Sequence, residues 1–335
     1  MKPPEVSKNA RPCIAIVHTD ISTNPTPDDA DTVLQAQFIS RTLNELGYHA
    51  PLIPFRPKTL QQSLRDLNAI AIFNLVEAVG GEDERATEGP LFFEKIGMPY
   101  TGNSAATMQA LENKPVVKRR MQQHDLPTPA FPEDGAQGKQ WILKSETFHC
   151  SRGMDHRNVS SDLEALNELA SECAAQYSGA WFLEEYIPGR EINMALLDNG
   201  DGTATVLPAS EIRFTGQEPH IVDYDCKWNE NSESYNNAFA NMEFTAAEKP
   251  MLDQLEHLSQ QCWKHFGLSG YARVDFRIDK QGNPFILEIN ANPCLSDDAG
   301  FMRAVAYAHM KPADAVKRII APALDNKKIN EARRA

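Results

Sequence analysis

Residues 271–294, YARVDFRIDKQGNPFILEINANPC, restrict the fold more than any other stretch of the chain. From Tyr271 to Ile278, apolar Val274, Phe276 and Ile278 alternate with Arg273, Asp275 and Arg277, and from Phe285 to Asn290, Leu287 and Ile289 alternate with Glu288 and Asn290. A period of two marks a strand with one buried face, and the intervening DKQGN is turn chemistry. The segment therefore predicts an antiparallel hairpin in which Asp279 pairs with Pro284. In that register Asp275 faces Glu288 and Arg273 faces Asn290, on one face, with opposed Cβ atoms about 5 Å apart. Two carboxylates held so close repel, and two arrangements relieve them. One is a hard divalent cation on carboxylate and amide oxygens, Mg²⁺ or Mn²⁺ rather than zinc because no His or Cys is present. The other is a solvated face on which Arg273 and Arg277 pair the acids.

Upstream, the chain alternates short apolar runs with amphipathic ones. Residues 13–17, the neighbourhood of Ile53, and 69–75 read as strands. A helix capped at Asp28 or Asp29 runs to Gly47, and another spans 88–96. This order points to a parallel sheet covered on both faces. A helix over 114–125 precedes the Pro-rich LPTPAFPEDG, a boundary signal. Strands are expected at 141–144, 181–186, 191–197 and 203–207, with helices over 162–177 and 246–266. The expected modules are 1–112, 113–185 and 186–335. A formal charge of −13 argues against a nucleic-acid partner, and residues 326–335 read as a solvated basic end. No apolar run approaches the roughly 18 residues that span a bilayer. Six scattered cysteines without a CxxC pair fit a reduced compartment, and the expected location is the cytoplasm.

Several motifs stand in an order similar to that of ATP-grasp enzymes, and the chain most closely resembles their D-alanine–D-alanine ligase-like branch. They are GED at 81–83, IGMPYTGNS at 96–104, Lys114, Lys144 ending WILK, HCSRGM at 149–154, FLEEYIPGREIN at 182–193, DYDCKW at 223–228, and the hairpin with R-x-D and E-x-N-x-x-P. The resemblance implies an α/β ATP-grasp fold, with an N-terminal parallel-sheet domain and two α+β subdomains clasping ATP. It implies that Lys114 and Lys144 contact the α- and β-phosphates, that Lys227 approaches the γ-phosphate, and that Ser151 and Gly153 offer loop amides. Glu184 would accept from the adenine amino group, the backbone at Glu185 and Ile187 would read the base edge, and Glu191 would bind the ribose. Asp275, Glu288 and Asn290 become Mg²⁺ ligands, with Arg273 stabilising charge on the reacting carboxyl group. A homodimer is the assembly the family suggests.

The implied reaction is carboxylate–amine ligation. A substrate carboxylate attacks the γ-phosphate, and an amine then displaces phosphate from the acyl phosphate. The departures from the family pattern fall at the substrate end. VHTDISTNP replaces a Gly-Gly-x-Ser motif, Glu77 and Ala78 replace His-Gly, and His149 and Cys150 stand where Gly and Ser are expected. Trp228 replaces a tyrosine, and CLSDDAGF follows Pro293. Glu77, Cys294, Asp297 and Asp298 are thus the candidate substrate residues, with the two aspartates either recognising an amine or capping the helix that follows. Three functions are expected to compete: a ligase of altered specificity, a D-alanine–D-alanine ligase proper, and a nucleotide-binding regulator without catalysis.

Overall fold

The computed structural model describes residues 11–23, 25–135, 140–149, 151–177, 179–216 and 218–332. Strands β1 (Cys13–His18), β2 (Leu52–Pro54) and β3 (Ala69–Leu75) form a parallel sheet in the order β2-β1-β3. Helix α1 (Pro27–Glu45) and helix α2 (Pro57–Asp66) supply the crossovers. Every residue of β1 is buried, as expected for a strand covered on both faces. Its alternate side chains divide accordingly. Ile14 and Ile16 pack with Ile39 and Leu43 of α1, while Ala15 and Val17 pack with Leu60 and Leu64 of α2 and Phe93 of α3 (Glu88–Lys95). Helix α1 starts at Pro27, with Thr26 rather than an aspartate at the N-cap position.

Helix α4 (Ala105–Glu112) runs into α5 (Lys114–Gln123), whose N-cap Asn113 accepts from the Val116 amide. Strands β4 (Trp141–Ser145), β5 (Val159–Ser160) and β6 (Trp181–Glu185) make a small antiparallel sheet, order β5-β4-β6. Helix α6 (Leu163–Tyr177) covers it through Leu166, Leu169 and Cys173.

The largest sheet runs β10-β9-β7-β11-β12, with β8 beside β7. Its strands are β7 (Gly189–Asp198), β8 (Ala204–Val206), β9 (Ser210–Phe214), β10 (Ala238–Asn241), β11 (Tyr271–Asp279) and β12 (Pro284–Asn290). Short helices α7 (Tyr224–Trp228) and α8 (Glu233–Asn236) lie between β9 and β10. Helix α9 (Lys249–Phe266) covers one face, packing Leu255, Leu258, Cys262, Trp263 and Phe266 against Ile192, Met194, Val274, Phe276 and Ile289. The period-two pattern turns Glu191, Asn193, Arg273, Asp275, Arg277, Glu288 and Asn290 to the opposite face.

The hairpin register matches the expectation where chemistry is concerned: Arg273 opposes Asn290 and Asp275 opposes Glu288. Beyond Asp275 it shifts by one, and Ile278 rather than Asp279 opposes Pro284. A bulge absorbs the extra residue, Leu287, whose carbonyl accepts from Lys118 Nζ at 2.8 Å.

Helices α10 (Gly300–Tyr307) and α11 (Pro312–Ala332) return to the N-terminal sheet. Phe301, Val305, Val316, Ile319 and Ile320 share a core with Ile14, Ile39 and Phe73, and also with Leu197 and Tyr271. The two ends of the chain are thus built around one core. Residues 326–332, read from sequence as a solvated end, continue α11.

Gly189 opens β7 opposite Asp279, and a Cβ there would lie 1.9 Å from the Ile278 carbonyl oxygen. Gly189→Ala is expected to destabilise the fold by about 3 kcal/mol or more, because backbone rather than a flexible side chain must move. Chemical denaturation of the variant against the parent measures this.

Candidate functional site

A cavity of about 610 Å³ lies where the sheets meet, a size suited to a nucleotide-sized ligand. Thr19 and Val76, directly after β1 and β3, wall one end, and the polar face of β7, β11 and β12 forms the floor. The cavity thus begins at the carboxyl ends of parallel strands, where open α/β sheets bind ligands.

On the floor, Arg273 grips Asp275 bidentately, Nε to Oδ1 at 2.7 Å and Nη2 to Oδ2 at 2.8 Å. Asn290 Nδ2 donates to Asp275 Oδ2 at 2.8 Å and to Glu288 Oε1 at 3.3 Å. Asn193 Nδ2 donates to Asp275 Oδ1 at 2.6 Å. The three candidate metal ligands therefore converge and Arg273 pairs Asp275, but Asp275 and Arg277 are buried and Arg277 pairs Glu191, so the face is not the solvated one of the second arrangement. Burial alone would raise the Glu288 carboxyl, but Lys114, His149, Lys227 and Arg273 hold it well below the usual carboxylate range. Among the described residues no group of three His, Cys, Asp or Glu has metal-ligand proximity. The donor set here is two carboxylates and an amide, the oxygen chemistry of a hard cation. Turning the Asn290 amide over would present Oδ1 to the same point, and the two orientations differ only in O/N assignment. Sequence reasoning passed over Asn193, although the alternation around Ile192 and Met194 marks it.

The cations of the cavity also contact groups of the protein itself. Glu184 is fully buried between two lysines, Lys118 Nζ at 2.6 Å and Lys144 Nζ at 2.7 Å. Burial pushes its carboxyl up, and the two ammonium groups outweigh that and lower it. Both of its oxygens thus meet ammonium groups, and Lys144, which the family resemblance assigns to phosphate, also lines the cavity. Lys118, unassigned by sequence, is buried and also donates to Thr128 Oγ1 and the Leu287 carbonyl. Its signal was a lysine on the same buried helical face as Val117 and Met121. Lys114 Nζ donates to the Phe148 carbonyl at 2.6 Å and lines the cavity, while Lys227 stands exposed on α7 at its edge.

At the far end of the cavity, Ile142, Ile187, Ile212 and Ile221 form apolar walls. Glu185 directs its amide to the Ala130 carbonyl, 2.8 Å, so that amide is committed to the fold. Glu191, on the floor, pairs with Arg277 at 3.0 Å. Ser151 adopts φ +60° and its hydroxyl donates to the Val222 carbonyl at 2.6 Å. Gly153 is not on the cavity wall. It lies against Trp181 and Tyr177, where a Cβ would meet Trp181 at 2.7 Å, so packing explains the glycine. Cys150 lies outside the described residues.

Opposite, Glu77 accepts from Gln35 Nε2 at 2.9 Å and Thr32 Oγ1 at 3.2 Å. Asp31, missed from sequence, accepts from Cys294 Sγ at 3.1 Å and Ser296 Oγ at 3.0 Å. Nothing near Asp31 in the sequence marks it, because its partners lie more than 260 positions away. Burial and the charges of Glu77 and Asp31 raise the Cys294 thiol well above its ordinary value, so it stays protonated and unreactive. Asp298 lines the cavity, but Asp297 is exposed outside it. Neither caps α10, whose N-cap position is Ala299.

Burial, reinforced by Asp31 and Asp83, pushes the Glu77 carboxyl up to about 7 from an ordinary value near 4.5, against the bonds from Gln35 and Thr32. The folded state then holds the proton more tightly than the unfolded chain, so stability is fully present below about pH 4.5 and declines as pH rises to about 7. Glu77→Gln is expected to match the parent at pH 4 and exceed it at pH 8 by on the order of 3 kcal/mol. Denaturation at both pH values checks this, and a constant difference between the two proteins contradicts it.

A family model described as D-ala D-ala ligase C-terminus matches residues 142–321. An uncharacterized protein of Sinorhizobium fredii is 30% identical over 250 residues, covering 71% of this chain and 69% of its own length. A D-alanine–D-alanine ligase of Bordetella pertussis is 29% identical over 279 residues, covering 79% and 83%. The solved structure of a D-alanine–D-alanine ligase from Bacillus anthracis complexed with ATP shares the fold, with a TM-score of 0.71 at 18% identity over 95% of this chain and 99% of that one.

Proposed function

The chain belongs to the D-alanine–D-alanine ligase family, and on that premise we propose a division of labour within the cavity of this ATP-dependent carbon–nitrogen ligase. The base lies between Ile142, Ile187, Ile212 and Ile221 with the ribose on Glu191, and the phosphates extend toward Lys114, Lys144 and Lys227. Asp275, Glu288 and Asn290 hold Mg²⁺, which when bound neutralises phosphate charge; Mn²⁺ has the same oxygen preference. The observation that carries this reading is the convergence of two carboxylates, an amide and Arg273 on one cavity wall, with Lys114 and Lys227 close enough to keep Glu288 ionised.

Arg273 faces the reacting carboxyl group. An oxygen of that carboxylate forms a bond to the γ-phosphorus as the bond to the β-phosphate oxygen breaks, releasing ADP. The amine nitrogen then attacks the acyl carbon, the carbon–oxygen bond to phosphate breaks, and the nitrogen loses its proton. Side chains act by orientation and charge stabilisation, and no covalent enzyme intermediate is needed. The opposite end carries the acids Asp31, Glu77 and Asp298 and supports recognition of an ammonium group on the amine substrate, whose charge would favour the ionised form of Glu77. Arg273 grips Asp275 bidentately, which fixes the orientation of the acid–amide cluster.

The substrates in this reading are a small carboxylate and an amine, with D-alanine one candidate for both. A cytoplasmic location, a homodimer and modules at 1–112, 113–185 and 186–335 belong to the same reading. ADP release, with product mass, should be measured across amino acids and amines with ATP and Mg²⁺. Release is expected only when acid and amine are both supplied, with D-alanine alone as a separate arm. Nucleotide binding without ADP release across the whole panel would favour a non-catalytic role. Glu288→Gln is expected to lower kcat by about 100-fold or more with little change in melting temperature. A fully active variant removes Glu288 from the metal assignment.

A further inference from the structure

Arg277 and Glu191 are opposed residues on neighbouring strands, paired in the β11–β7 register. Arg277 Nη2 lies 3.0 Å from Glu191 Oε2, and the side chains of both are close to fully buried. The guanidinium is itself held from three sides. Nη1 donates to the Gly189 carbonyl at 3.0 Å, Nη2 donates to the His220 carbonyl, and the rings of Phe214 and Tyr186 lie 5.7 and 5.9 Å from its centre. It therefore ties the first residue of β7 to the end of β9 and to the segment that follows it. A rigid fork of donors fixed in this way has one orientation to offer its carboxylate. A glutamate in a nearly dry site without such a partner either takes up a proton or turns toward solvent. With the partner the carboxylate keeps one orientation, and an oxygen that accepts from one guanidinium keeps lone pairs for other donors.

We propose that Arg277 is a positioning residue for the nucleoside: it fixes the orientation of Glu191, and through it the ribose hydroxyls. This rests on the reading that the cavity binds ATP. Arg277 touches no reacting group, so its removal is expected to act on nucleotide affinity and not on turnover.

The test compares ATP with 2′,3′-dideoxy-ATP, which lacks the hydroxyls through which Glu191 would act. In Arg277→Met, KM for ATP is expected to rise about 10- to 100-fold, the size of a charge-assisted hydrogen bond, with kcat within about threefold. For the dideoxy nucleotide the same substitution should cost about twofold or less. Arg277→Lys should recover part of the loss, and Glu191→Gln should show the same dependence on the nucleotide, with the double variant no worse than either single one. An equal loss with both nucleotides, or a fall in kcat at unchanged KM, overturns the proposal and assigns Arg277 to fold alone. If Arg277→Met does not fold, Arg277→Lys and Glu191→Gln decide by the same comparison. A parent protein to which calorimetry shows no binding of either nucleotide overturns the ATP reading as well, which separates the two failures.

Discussion

The central constraint is that β11 carries Arg273, Asp275 and Arg277 on one face, in the middle of a sheet, with Glu191 and Asn193 on one side and Glu288 and Asn290 on the other. Three carboxylates so close to one another cannot all be ionised without cations among them. The structure alternates signs along the strand. Arg273 answers Asp275, Arg277 answers Glu191, and Glu288 is left to the ammonium groups of Lys114 and Lys227. Such a face contributes little net stability by itself, since desolvation offsets attraction in buried ion pairs. The stability of the sheet comes from the reverse face, where α9 buries its apolar stripe against Val274, Phe276 and Ile289. Separating the two tasks onto opposite faces of one strand is what period-two patterning makes available.

A second buried charge system links the layers. Lys118 on α5 reaches Glu184 on β6 and the Leu287 carbonyl on β12, and Lys144 on β4 closes on the other oxygen of Glu184. One lysine therefore touches both antiparallel sheets at the position where the floor strand is bulged. The bulge is what reconciles the turn at Asp279 with the opposition of Asp275 and Glu288. Without an extra residue, the turn and the acid pair would require different registers. The Leu287 carbonyl, displaced from the ladder, still needs a donor because an unsatisfied buried carbonyl is costly. Lys118 supplies that donor, and so registry on β12 and the carboxylate of Glu184 are held by the same nitrogen.

This explains what was legible in the sequence. Asp275 opposite Glu288, Arg273 opposite Asn290, the parallel sheet and α9 all follow from local periodicity, because each is decided by neighbours within one or two elements. Asn193 belonged to a strand whose alternation was visible but whose sheet neighbour was not, so its bond to Asp275 stayed hidden. Lys118 was hidden differently: a lysine on a helix is ordinarily solvated, and only tertiary packing buries it. Asp31 had no local mark at all, since Cys294 and Ser296 come from the far end of the chain. Gly153 and Asp297 are the reverse case, motif positions that stand off the cavity wall. Motif position placed them at the ligand, whereas Gly153 is a packing glycine beneath Trp181 and Asp297 faces solvent.

The distribution of charge around the cavity resolves an apparent conflict between a chain of net charge −13 and a polyanionic ligand. Net charge acts over long range and is screened within about 10 Å of salt solution, whereas groups lining a cleft act at contact. Lys114, Lys144, Lys227 and Arg273 all line it, interleaved with the acids Asp31, Glu77, Glu184, Glu191, Asp275, Glu288 and Asp298. In the proposed reading the cations would meet the triphosphate while the acids would hold ribose, metal and amine, so the acid excess would orient the ligands rather than repel them.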